Sequence, residues 1–217
     1  MIKKIGSKFL VVLITTSLVI FSGCALTKKN QSPSTANPDQ IQVMVSLLPQ
    51  KEFVEKLGGD KVSVNVMIGP GFNEATYEPT TAQLVTLQQT DLYVRLGYLP
   101  FEYAYLPKIQ AQNPNIKIVN SSRGVPIRQF STSEQEIEKK EDTELTSPAN
   151  VPESTIDPHI WLSPLLVKIQ IENIYQALAE LDPSNSTYYR ENADKYLAEL
   201  DALHQNLQDI FSNLPNK

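Results

Sequence analysis

Few side chains in this 217-residue chain have strong chemistry to offer: there are two histidines, His159 and His204, and one cysteine, Cys24. His159 stands in the run DPHIWLSP at residues 157–164. Asp-Pro-His fixes a turn that points the imidazole outward, with Trp161 beside it as an apolar anchor. Neutral imidazole suits zinc and other transition metals. A loop histidine can equally do no more than hydrogen-bond to its neighbours, and residue type alone leaves both readings open. His204 falls beside an apolar stripe, at seven-residue steps from Leu197 and Phe211, and reads as a helix-flank residue rather than a ligand. The chain shows no nucleophile–base–orienter set, no phosphate-binding glycine loop (GPG at 69–71 is too short) and no paired metal carboxylates. It therefore reads as a binding protein and not as an enzyme.

The compartment is written at the start of the chain. Lys3, Lys4 and Lys8 precede an apolar run over residues 9–21, about thirteen residues against the roughly 20 a membrane-spanning helix needs. A short run behind lysines and ahead of the small residues Ser22 and Gly23 predicts an export signal. Small-small-Cys resembles the lipobox of bacterial lipoproteins. That resemblance implies cleavage before Cys24, a diacylglycerol on its sulfur, and a protein anchored to the bacterial cell membrane facing periplasm or exterior. A single cysteine excludes an intrachain disulfide, and a lone exposed thiol is reactive unless capped. Removing residues 1–23 leaves 217 − 23 = 194 residues and takes away three lysines, so the net charge moves from −5 to −8. That balance lacks the basic footprint of a nucleic-acid binder. The remaining length can bury a sizeable core.

These residues must be positioned by the elements between them. Residues 24–40 are polar with two prolines and read as a flexible, lipidated tether. From residue 41 the pattern alternates strand and helix. Residues 42–47 are apolar and β-rich; 49–57 carry Phe53, Val54 and Leu57 at helical spacing and stop at Gly58-Gly59. Val62, Val64, Val66 and Ile68 alternate with polar residues as a strand does. Residues 69–79 hold two glycines and two prolines and predict a loop. A helix at 80–89, a strand at 92–96, a helix at 100–112 despite Pro107, and a strand at 116–119 follow. The expected fold is α/β, with a mostly parallel four-stranded sheet and helices on both faces. Residues 121–156 are acidic and poor in apolar side chains, and read as a flexible insertion. Ser163-Pro164 then opens a helix, with an N-cap hydroxyl and proline at the first helical position. Asp182-Pro183 breaks it, and a long helix from about residue 184 to 213 repeats the apolar spacing from Tyr189 to Ile210. The stripe at Leu203, Leu207, Ile210 and Phe211 is more than one lobe can cover.

Five segments together resemble the metal-binding solute-binding proteins of zinc and manganese ABC importers: GPGFNEATYEPT (69–80), LPFE (99–102), the NP-then-IKIV stretch (113–119), DPHIWLSP (157–164) and LDPSNSTYYRENADKYLAEL (181–200). DPHxWLSP and LDPxNxxYY are specific as a pair. The resemblance implies two α/β lobes joined by one long helix, with the metal between them on two histidines from the first lobe and a histidine and a carboxylate from the second. By that match His159 is a first-lobe ligand. Tyr77, Glu78 and Pro79 match the Tyr-Glu-Pro after the other histidine, whose own place is taken by Ala75. Glu74 is the candidate substitute, since carboxylates bind zinc. Asp157 orients His159 or caps the turn, and Glu78 is expected to hydrogen-bond backbone or neighbouring residues near a helix start.

The organisation implied is a signal peptide (1–23), a tether (24–40), an N-terminal metal-binding lobe (41–183, with its insertion at 121–156) and a linker helix (184–217), the second lobe being absent. The implied function is that of the substrate-binding lipoprotein of an ABC transporter, taking up zinc or manganese. Its implied partners are the membrane permease, the membrane through lipid on Cys24, and a separate chain supplying the second lobe. The alternative is an orphan lobe without tight metal binding, serving as a surface interaction module or a relic.

Overall fold

The structure, a computed structural model, describes residues 39–126, 128 and 156–214. Cys24, the signal segment, nearly all of the tether and most of the insertion lie outside the described residues. The described residues belong to one compact unit. Among the described residues no helix is long and apolar enough to cross a membrane.

Four strands make one parallel sheet: β1 (Ile41–Leu47), β2 (Val62–Ile68), β3 (Leu92–Arg95) and β4 (Lys117–Asn120), in the order β2-β1-β3-β4. The helices are α1 (Leu48–Gly58), α2 (Thr81–Leu87), α3 (Pro100–Gln112), α4 (Pro164–Leu181) and α5 (Ser186–Ser212). Alternation along β1 divides the core. Val43 and Val45 face a layer of α1, α4 and α5, built on Phe53, Ile171, Ile174, Tyr189 and Tyr196. Met44 faces a second layer with Met67, Leu87, Tyr93 and Ile109, under α2 and α3. β2 lies at an edge, and its middle residues, Val64 to Val66, are accordingly no more than half-buried.

Local signals explain most of the boundaries. Proline sits in the first turn of α1, α3 and α4, where no backbone donor is lost. Gly59, at φ 54, ends α1 in a conformation that favours glycine. Two expectations need correction. Ser163 has the extended backbone of an N-cap, but its hydroxyl makes no capping hydrogen bond; its carbonyl accepts the Val167 N–H at 2.9 Å instead. The stretch from residue 121 is not all solvated. Ser121, Ser122, Val125 and Ile156 are buried, and the Asp157 N–H donates to the Arg128 carbonyl at 2.8 Å. The two ends of the insertion are thus drawn into the fold.

α4 and α5 pack antiparallel, joined by a 3-10 turn at Pro183–Asn185. Glu172 pairs with Arg190 and Lys168 with Asp201. Along α5, Tyr189, Ala193, Tyr196 and Leu200 are buried, whereas Leu203, Ile210 and Phe211 are exposed. The helix therefore overhangs the lobe beyond about Leu200.

A buried carboxylate ties the carboxyl ends of β1 and β3 to α3. Glu102 accepts hydrogen bonds from the Leu96 and Gly97 N–H groups, both at 2.6 Å, and from the Ser46 hydroxyl. Burial pushes its carboxyl above the usual range, opposed by these donors. Gly97 is obligatory, since it has φ 104 and a Cβ there would lie 2.3 Å from Asn120 Oδ1. Glu102→Ala leaves two buried N–H groups without an acceptor. It is expected to cost about 3 kcal/mol, read as a lowered urea midpoint at unchanged slope.

Candidate metal centre

His159 precedes the 3-10 turn Ile160–Leu162, which leads into α4. Ile160 is buried and Trp161 packs against both core layers, so the backbone under the imidazole is anchored. The Trp161 ring centroid lies 5.1 Å from that of His159. Asp157 holds the ring from the other side. One oxygen, Oδ1, accepts the His159 backbone N–H at 3.0 Å and contacts ring Nδ1 at 2.7 Å. Those two hydrogen bonds, the backbone one first, hold the Asp157 carboxyl below the usual carboxylate range. Asp157 therefore closes the turn and orients the ring at once. A carboxylate at Nδ1 places the hydrogen there in the neutral ring, so Nε2 presents its lone pair.

Nε2 faces Glu74, whose Oε1 is 3.4 Å away. Glu74 belongs to the loop after β2. Asn73 shapes that loop: its Oδ1 accepts the Ala75 N–H at 2.8 Å and its carbonyl accepts the Thr76 N–H at 3.3 Å. Tyr77 pins the loop down. It is buried, its hydroxyl lies 2.7 Å from both the Met67 carbonyl and Gln83 Oε1, and its ring meets Phe72 and Phe101 edge-on. The Glu74, His159 and Asp157 side chains are partly exposed, at 34, 38 and 25 %.

The structure thus brings together Glu74, His159 and Asp157, with Tyr77 beneath the loop. It does not bring Glu78 to the helix-start role expected of it. Glu78 is exposed, and Thr80 and Gln83 cap α2 reciprocally, the Thr80 N–H donating to Gln83 Oε1 at 3.0 Å and the Gln83 N–H to Thr80 Oγ1 at 3.3 Å. His204 lies on α5, outside this group. Sequence reasoning placed Asn73 beside the Ala75 position but gave it no role; the signal was its own type, since asparagine caps the backbone two residues on.

A divalent cation lying between Nε2 and Oε1 would make both groups ligands. Zinc–nitrogen and zinc–oxygen bonds of roughly 2.05 and 2.1 Å at a tetrahedral angle put the two donors about 3.4 Å apart. The observed separation fits one edge of such a site. Among the described residues no group of three or more His, Cys, Asp or Glu side chains converges on a metal position; Asp157 faces the far nitrogen of the ring.

The profile of the family described as "ZnuA: Zinc-uptake complex component A periplasmic" matches residues 43–217, and the chain belongs to that family. The chain is 26% identical over 204 residues to the high-affinity zinc uptake system protein ZnuA of Bacillus subtilis (strain 168), covering 94% of this chain and 60% of that protein. It is 24% identical over 218 residues to the manganese ABC transporter substrate-binding lipoprotein PsaA of Streptococcus mitis, covering 98% and 63% respectively. A crystal structure of ZnuA superposes with a TM-score of 0.68 at 37% identity, over 82% of this chain and 61% of that one. The chain thus spans about three-fifths of the length of these relatives, and shares their fold.

The geometry at Asp157 generates a test that needs no metal. Nitrogen-detected NMR of the neutral His159 ring should show the hydrogen on Nδ1. In Asp157→Ala it should move to Nε2, the form favoured in water, with the fold retained.

Proposed function

We propose that this chain captures a divalent transition metal, zinc before manganese, as the substrate-binding component of an ABC importer. The observation that carries this reading is the approach of His159 Nε2 to Glu74 Oε1, 3.4 Å apart, with Asp157 behind the ring. An imidazole oriented by a carboxylate is a stronger and better-placed donor. Zinc comes first because nitrogen with carboxylate suits it and because the family description and the Bacillus subtilis relative are named for zinc; the Streptococcus mitis relative is named for manganese. Metal here is cargo. Both donors are partly exposed, which suits loading and release.

Export and anchoring complete the proposal. Lipid on Cys24 would hold the protein at the membrane, facing a permease that accepts the metal. Relatives named as periplasmic or as lipoproteins support that placement.

Calorimetric titration of zinc and manganese into a form beginning at residue 25 tests the site. Zinc is expected to give saturable heat. His159→Ala and Glu74→Ala should each weaken it by about tenfold or more, and Asp157→Ala by roughly 10-fold. Identical isotherms for wild type and His159→Ala would remove the proposed site. Ala75→His places an imidazole on the same turn, next to Glu74. It should tighten zinc binding by about tenfold or more, as a third ligand does in approaching the usual coordination number.

A further inference from the structure

The two donors are held in different ways. The His159 ring is oriented by Asp157, which meets its backbone N–H at 3.0 Å and Nδ1 at 2.7 Å. Among the described residues the Glu74 carboxylate has one polar contact, the 3.4 Å approach to His159 Nε2. Where its oxygens lie is therefore set by the loop that carries them.

That loop is closed at its base. Phe72 and Tyr77 stand two residues before and three after Glu74, and their rings meet edge-on at 5.9 Å. The Tyr77 hydroxyl reaches the Met67 carbonyl and Gln83 Oε1, both at 2.7 Å. Gln83, in the first turn of α2, completes the clasp. Its Nε2 donates to the Met67 carbonyl at 2.6 Å, with the Val66 carbonyl at 3.4 Å. Its Oε1 accepts from the Thr80 N–H at 3.0 Å and the Thr80 hydroxyl at 2.9 Å. The amide can sit only one way round. A backbone N–H only donates and a carbonyl only accepts, so the oxygen faces Thr80 and Tyr77 and the nitrogen faces β2. One side chain thus joins the end of β2, the Glu74 loop and the start of α2.

Capping of α2 does not explain the whole of this. A capping box needs the oxygen that accepts from Thr80, and glutamate supplies that as well as glutamine. The nitrogen serves no cap. It is spent on the end of β2, from which the Glu74 loop departs, and on the carbonyl that Tyr77 shares.

We infer that Gln83 is a positioning residue for the metal donor Glu74, acting through Tyr77 to hold the loop where Oε1 meets His159 Nε2. The inference rests on the proposed metal capture and deepens it. Gln83 itself touches no metal. When its nitrogen is lost, the loop spends part of its time with Glu74 away from His159. A ligand that needs one conformation binds more weakly in proportion to the fraction that adopts it.

Gln83→Glu separates the cap from the clasp. It keeps the oxygen that Thr80 and Tyr77 use, and sets a second oxygen against the Met67 and Val66 carbonyls. Tyr77→Phe cuts the same link from the other side and keeps the ring between Phe72 and Phe101.

Calorimetric titration with zinc, together with amide hydrogen exchange of the metal-free protein at Ala75 and Thr76, tests the inference. Each variant should bind zinc about threefold or more weakly, and should exchange faster at those two amides while the amides of β1 stay protected. In a Glu74→Ala background either change should alter zinc affinity by less than about twofold, since the donor being positioned is gone. Wild-type zinc affinity in Gln83→Glu and Tyr77→Phe would overturn the inference. So would a loss of the same size with and without Glu74, which would mark a general effect on the fold. Absence of zinc heat in the wild type would remove metal capture and with it the donor role of Glu74, and the exchange rates would then show by themselves whether Gln83 holds the loop.

Discussion

All four strands run the same way, and this one constraint places the site. In a parallel sheet every strand delivers its following loop to the same edge, the carboxyl edge, where open α/β sheets bind their ligands. β2 and β4 are the outermost strands of the order β2-β1-β3-β4. Yet the loop after β2 carries Glu74, the chain that leaves β4 returns with His159, and the two side chains meet. The central strands hold that edge together. Ser46 near the end of β1, and Leu96 and Gly97 just past β3, all donate to the buried Glu102 at the start of α3. The Ser46 hydroxyl is also 2.8 Å from that of Tyr93. A polar group at such a depth is costly unless saturated, and here its partners saturate it.

The loop that carries Glu74 does not depend on the residue at 75. Its shape comes from Asn73, which accepts the Ala75 N–H, and from Tyr77, wedged between Phe72 and Phe101. Alanine at 75, where the resemblance implies a histidine, is thus compatible with the turn. The turn then offers the neighbouring carboxylate, on a side chain long enough to reach the His159 ring.

What could be read from the sequence follows from how local each signal is. The alternation at Val62, Val64, Val66 and Ile68, and the stop at Gly58-Gly59, are properties of neighbouring residues, and both elements occur within a residue or two of the expected bounds. The resemblance found at residues 69–80 and 157–164 belongs to the family that the chain is shown to belong to. Glu78 misled because motif position was taken for role: the capping box needs its glutamine three residues after Thr80, and Gln83 is there. The burial of Ser121, Ser122 and Val125 was hidden because their partners are distant. Ser121 receives a hydrogen bond from Gln50, 71 residues away, and gives its carbonyl to Asn173. The exposure of the insertion's polar sequence said nothing of its ends. The meeting of Glu74 with His159 likewise spans the whole sheet, and no spacing in the chain encodes it.

The stripe along α5 shows the difference between a pattern and its burial. Its spacing is continuous from Tyr189 to Ile210, but packing covers it only through Leu200. Before that point Arg190, Asn192 and Glu199 reach Glu172, the Leu57 carbonyl and Lys56, so the helix is fastened to both α4 and α1. Beyond it, leucine, glutamine and alanine favour the helix by propensity, and Gln205 reaches Asp209 one turn on at 3.0 Å. Such a segment holds its shape from within but gains nothing from leaving Leu203, Ile210 and Phe211 in water. Its direction is fixed by the packed half.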